Sequence, residues 1–190
     1  MILAKLKEAT REQHENLEST VNVMDQMFSL TDYKYLLCKF YRFYSAMEPK
    51  VFKLDWATVS LNIDERRKLP KLERDLKFLQ VWDEAQGLAK WEALPALDNL
   101  AEGFGSLYVM EGATLGGQII NRHLKEHLSI SPESGGAFFN GYGEQTGPMW
   151  KEFVRITNEF AAASENDEVM INNARETFDS FRDCFLQTKV

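Results

Sequence analysis

The sequence predicts an all-α fold in a single domain. Three observations carry this. Apolar residues recur at helical three-and-four spacing through most of the chain. No stretch alternates apolar and polar residues as a strand would. Gly, Pro, Ser and Asn crowd together only once, between Ser131 and Met149, so that one long loop separates otherwise periodic segments. With 190 residues, 44% of them hydrophobic, the chain suffices for one core and is too short for two, so residues 1–190 are read as one domain.

The first helix is expected over about residues 2–19, with Leu3, Leu6, Thr10, His14 and Leu17 on one buried stripe. His14 therefore takes a core-facing position, with Lys7 and Arg11 seven and three residues before it on the same face. A histidine on such a stripe is either a hydrogen-bonded core residue or, facing a cavity, a metal or heme-iron ligand.

Thr31 is the expected N-cap of a second long helix, in which Leu36, Leu37, Phe40, Phe43, Tyr44, Met47 and Val51 face inwards and Pro49 introduces a kink. Residues 63–80 read as a solvated, charged segment broken at Pro70, with Leu72, Leu76 and Leu79 turned inwards. Residues 81–94 read as a short helix and turn. Pro95 is expected to open a long helix running to about Leu128.

That long helix contains the stretch from Gly105 to Leu124, with Leu107, Met110, Leu115 and Ile119 at helical spacing and Gly112, Gly116 and Gly117 inside it. Each glycine costs about 1 kcal/mol of helix propensity against alanine. A missing Cβ lets something approach the backbone, either a neighbouring helix or a flat ligand. After the loop, a helix from about Pro148 carries Trp150, Phe153 and Ile156 on one side and the basic pair Lys151 and Arg155 on another. The last helix, about 167–187, carries Met170, Ala174, Phe178, Phe181 and Phe185.

Several classes of function are set aside. A net charge of −7 argues against nucleic acid as a partner. No run of eighteen apolar residues marks a membrane span, and the early charges of Met1-Ile-Leu-Ala-Lys-Leu-Lys-Glu8 do not fit a signal peptide. Cys38 and Cys184 are expected to be buried, unpaired thiols in a reducing cytoplasm. No His-Glu-x-x-His, Cys-x-x-Cys or phosphate-binding Gly-x-x-x-x-Gly-Lys motif occurs. His123 and His127, four apart, are accounted for by a charged helix end. The remaining set is one histidine on an inward stripe, one helix with bare backbone, and two pairs of basic side chains. It suits a flat dianionic macrocycle with a central metal, its carboxylates paired with Lys7, Arg11, Lys151 and Arg155.

Leu6-Lys-Glu-Ala-Thr-Arg-Glu-Gln-His14 resembles the proximal-helix motif of heme oxygenases, and Leu115-Gly-Gly-Gln118 their distal glycine motif. Phe138-Phe-Asn-Gly-Tyr-Gly-Glu-Gln-Thr-Gly-Pro-Met-Trp150 is similar to bacterial members, especially those that accompany bacteriophytochromes. The resemblance spans nearly the whole chain. It implies an all-α fold with b-type heme, both substrate and cofactor, held between a proximal and a distal helix. It also implies O2 and electrons from a separate reductase or ferredoxin, ring opening to biliverdin, ferrous iron and CO, and a bacteriophytochrome as one possible acceptor of the product. His14 corresponds to the proximal iron ligand, and Gly112 and Gly116, with Gly117 beside them, to the distal glycines on the O2 side. Lys7, Arg11, Lys151 and Arg155 correspond to positions that hold propionates. In mammalian-type members an aspartate follows the first distal glycine and orders water for proton delivery; Ala113 stands there, which turns attention to Glu111 and Gln118. The competing expectation is a heme-binding or trafficking protein that keeps His14 and has lost turnover.

Overall fold

A computed structural model describes residues 1–22 and 29–188 as helices and turns, with no strand among them. In chain order the helices are α1 (Ile2–Ala9), α2 (Arg11–Val21), α3 (Leu30–Val51), α4 (Leu69–Phe78), α5 (Trp82–Gly87), α6 (Leu100–Leu128), α7 (Ala137–Asn140), α8 (Thr146–Ala163) and α9 (Asp167–Gln187). No described helix is long and apolar enough to cross a membrane.

The single N-terminal helix expected from the pattern is two. Thr10 leaves helical geometry at φ −108° and ψ 11°, and its hydroxyl donates to the Leu6 carbonyl at 2.8 Å. A threonine hydroxyl competing for a backbone carbonyl is a known way to bend a helix. The cap of α3 also differs. Ser29, not Thr31, accepts from the Asp32 amide at 3.2 Å, while its hydroxyl donates to the Asp32 carboxylate at 2.7 Å. Pro49 falls in the last turn of α3, two residues before the helix stops at Val51. Pro95 does not open α6. Asn99 does, accepting from the Glu102 amide at 3.0 Å while Glu102 accepts from the Asp98 amide at 2.6 Å. This reciprocal pairing satisfies two orphan donors of the first turn, which Pro95 is too far away to influence.

The core is built on α3, α6 and α9. Phe40 sits at its aromatic centre, with ring centroids 5.1–5.5 Å from Phe138, Phe139, Phe181 and Phe185, and Phe43 stacks on Phe181 at 4.1 Å. Helices α6 and α9 meet at backbone distance. A Cβ on Gly105 would lie 2.5 Å from the Met170 carbonyl, and beside it the Ser106 hydroxyl donates to Asn173 at 2.7 Å. Cys38 and Cys184 are free and buried, and burial pushes both thiols up to about 11.

The charged segment before α4 departs most from expectation. It reads as solvated, yet Arg66, Lys68 and Asp75 are all buried. Asp75 accepts the amides of Ala137 and Phe138 at 3.0 and 2.7 Å and so holds the start of α7. Burial outweighs these hydrogen bonds and pushes its carboxyl from 3.8 up to about 6. The folded protein therefore binds the Asp75 proton more tightly than the unfolded chain, and this contribution to stability is present below about pH 4 and lost as pH rises through about 6. Asp75→Asn is expected to remove that part of the decline between pH 4 and 6, measured by urea unfolding at a series of pH values. An unchanged slope would mean that Asp75 does not titrate in this range.

Candidate functional site

Helix α6 shows how five glycines in one helix divide by use. Gly103 and Gly105 face Trp56 and Met170 in the core. A Cβ on Gly117 would overlap the Phe139 carbonyl oxygen, so its bareness is taken up by α7. A Cβ on Gly112 or Gly116 would meet none of the described residues within 4 Å. Being four apart, they share one face of the helix, and Tyr108, Leu115 and Ile119 flank them on it. Leu115 and Ile119 are unusually exposed for apolar residues, 45% and 66%. One flank of α6 is therefore open and apolar, with a backbone that none of the described residues covers. Gly117, expected beside the other two, points elsewhere.

His14 lies on α2, which packs against α9. It is not the core residue that the stripe suggests: its side chain is 54% exposed, the inward face of α2 being taken by Leu17 and Val21. The imidazole Nδ1 lies 3.5 Å from the Glu18 carboxylate one turn on, and the ring meets Phe178 edge-on at 5.6 Å. Phe178 in turn meets Tyr108 at 6.4 Å, and Tyr108 meets Trp150 at 6.2 Å. This row of rings runs from α2 through α9 and α6 to α8, and so joins His14 to the helix turn just before Gly112. Burial pushes the Tyr108 phenol above its ordinary range, partly offset by a hydrogen bond with Thr10.

The four basic residues are all exposed. Lys7 on α1 and Lys151 and Arg155 on α8 belong to helices that pack together. Arg11 pairs with Glu8, and Arg155 with Glu159 at 2.7 Å, whereas among the described residues Lys7 and Lys151 pair with no carboxylate. His123 and His127 have their rings 4.3 Å apart, but no described group of three or more His, Cys, Asp or Glu is arranged to hold a metal ion. Ala113 is exposed and Gln118 reaches only the Gly143 carbonyl, at 3.4 Å.

Glu111, the residue before Gly112, has a different setting from the one expected. It is 1% exposed and held on both oxygens: Arg66 and Lys68 each donate to it at 2.5 Å, and the Tyr142 hydroxyl at 2.6 Å. Sequence reasoning missed Arg66, Lys68 and Tyr142, because each meets Glu111 from a distant part of the chain.

The heme oxygenase family model matches residues 1–187. The chain belongs to the heme oxygenase family. Its fold is similar to that of the Neisseria meningitidis heme oxygenase, solved with NO and CO bound, at TM-score 0.81 and 20% identity, covering 99% of this chain and 94% of that one. Heme oxygenase 2 from Chlamydomonas reinhardtii, solved without heme, matches at TM-score 0.81 and 18% identity over 99% and 97% of the two chains. Heme oxygenase-1 from the cyanobacterium Synechocystis, solved with heme, matches at 0.72 and 17% over 98% and 91%. A search of curated proteins finds no significant match. As a family member the chain is a heme oxygenase, an enzyme with heme as its substrate and cofactor.

The residues present fit such a group. Glu18 stands 3.5 Å from Nδ1 of His14, which leaves Nε2 open to a metal. The Gly112–Gly116 face leaves space that a side chain would otherwise fill.

Proposed function

We propose that this heme oxygenase opens heme to biliverdin with release of ferrous iron and CO, using His14 as the iron ligand and the Gly112–Gly116 face as the opposite wall. The observation that carries this assignment is the pairing of an exposed, carboxylate-oriented imidazole with a helix face left bare at two glycines four residues apart. Bound heme supplies both the iron at which O2 is reduced and the ring carbon that is oxidised. The chain's own residues do the rest. Glu18, at Nδ1 of His14, orients the ring and leaves Nε2 to the iron. Gly112 and Gly116 admit a small ligand while Tyr108, Leu115 and Ile119 exclude bulk water. Lys7, Arg11, Lys151 and Arg155 pair with the propionates at the solvent edge and set the rotation of the ring in its plane. Ala113 offers no carboxyl group, and Glu111 is committed to two buried cations, so protons reach this site through water held by backbone groups or by Gln118.

The electrons come from a separate donor protein, a ferredoxin or a reductase, and a bacteriophytochrome is the proposed acceptor of the biliverdin. The enzyme acts in the cytoplasm, in keeping with two free thiols. Incubating the protein with hemin, a reducing system and O2 tests the reading. The Soret band is expected to disappear with formation of biliverdin and one equivalent of CO. A Soret band unchanged under these conditions would make the chain a heme carrier.

A further inference from the structure

The buried cluster around Glu111 has no part in the chemistry just described, yet it costs the fold a great deal. Desolvating a carboxylate and two cations is costly, and replacing such groups by apolar ones is often neutral or stabilising. What the cluster provides is direction. From one residue of α6, adjacent to Gly112, hydrogen bonds run to two separate segments and through one of them to α3 and α8. Lys68 and Arg66 belong to the turn before α4, and that turn is fixed to α3 because the Glu48 carboxylate accepts the amides of Lys68 and Leu69 at 2.7 and 3.1 Å. Tyr142, in the loop after α7, donates to Glu111 and also meets Lys68. Arg66 continues from Glu111 to α8, donating to the Met149 carbonyl at 3.3 Å and to the Glu152 carboxylate at 2.8 Å.

The last link is the informative one. Helix α8 carries Lys151 and Arg155 on either side of Glu152, while α6 carries the bare glycine face. The Glu111–Arg66–Glu152 chain therefore registers the wall over the ring against the helix that holds the ring's carboxylates. Non-polar contacts permit sliding between helices, whereas a guanidinium divided between two carboxylates does not.

We infer that Arg66, Lys68, Glu111 and Tyr142 are positioning residues that determine which meso carbon of heme faces the Gly112–Gly116 wall. This rests on the heme oxygenase reading for its product, but not for its structural claim. Two variants test it. Arg66→Met/Glu111→Leu/Lys68→Met removes all three charges together, so that none is left buried and unpaired. Tyr142→Phe removes only a hydroxyl, with its bonds to Glu111 and Lys68, leaves the charges paired with one another, and is tolerated even if the triple variant does not fold. The first measurement is amide hydrogen exchange over residues 108–118 in the heme-free protein, where protection is expected to fall about fivefold in Tyr142→Phe, the worth of the hydrogen bond to Glu111 on α6. The second is the ratio of biliverdin isomers formed from hemin, expected to broaden in both variants while the affinity for hemin changes less than about twofold. Wild-type protection together with a wild-type isomer ratio in Tyr142→Phe would overturn the inference. Absence of any biliverdin from the wild-type protein would instead refute the proposed reaction, and the exchange measurement alone would then decide whether the cluster positions the helix.

Discussion

Replacing His14 with alanine is expected to abolish the heme-loaded enzyme while leaving the protein folded. The side chain is half in solvent, touches Phe178 only edge-on and contributes little to the core, so its loss costs little stability. Its loss to heme is of another order. Removing a residue that merely orients a metal ligand typically costs 10–100-fold in affinity or activity, and removing the ligand itself should exceed the upper end of about 100-fold. Glu18→Gln, which retains the ring and weakens its orientation, should fall near the lower end, about tenfold. Hemin titration followed at the Soret band, with thermal unfolding alongside, separates the two effects. Tight hemin binding with an unaltered Soret position in His14→Ala would transfer the ligand role to another residue.

The second expected result concerns two adjacent glycines that behave in opposite ways. Gly116 has open space where a Cβ would go, so Gly116→Ala should stabilise the heme-free protein by about 0.5–1 kcal/mol through helix propensity, raising Tm by a few degrees. Gly117→Ala drives a methyl group into the Phe139 carbonyl and must shift α7, with an expected loss of about 1–3 kcal/mol. Catalysis reverses the order. Gly116→Leu fills the bare face proposed for the O2 side and should lower turnover about 100-fold, the cost of misplacing a reacting group by roughly an ångström, with the fold retained. Thermal unfolding and single-turnover kinetics on the same three variants check this. Normal heme degradation by Gly116→Leu would remove α6 from the O2 side.

Those glycines also illustrate how much was legible in the chain. Helical spacing located α3, α6, α8 and α9 to within a few residues, because each buries one apolar stripe and that stripe is written locally. The cluster of Gly112, Gly116 and Gly117 was visible too, but its division was not. Whether a missing Cβ faces a ligand or a neighbour depends on Phe139, which approaches from a different segment. The same reason hid the buried charges. Arg66 and Lys68 sit in a stretch patterned like a surface, and only Glu111, 45 and 43 residues further on, makes their burial tolerable. Thr10 was misjudged differently: its size and spacing suit an apolar stripe, while its hydroxyl works against the helix that the stripe implies.

The break at Thr10 governs how the wall bearing His14 is held. Helices of 8 and 11 residues are each shorter than the roughly 12–15 residues at which an isolated helix becomes even marginally stable in water. Their persistence is therefore borrowed from α9: Arg175 donates to the Ala9 carbonyl at the junction, at 2.8 Å, and Lys5 pairs with Asp167 at 2.7 Å. Helix α6, by contrast, runs 29 residues and is fixed on its back by Gly117 and Glu111. The N-terminal arm is therefore helical only while docked, its grip being the burial of Ile2, Leu6, Leu17 and Val21, so that undocking and unfolding of the segment that bears His14 are one event.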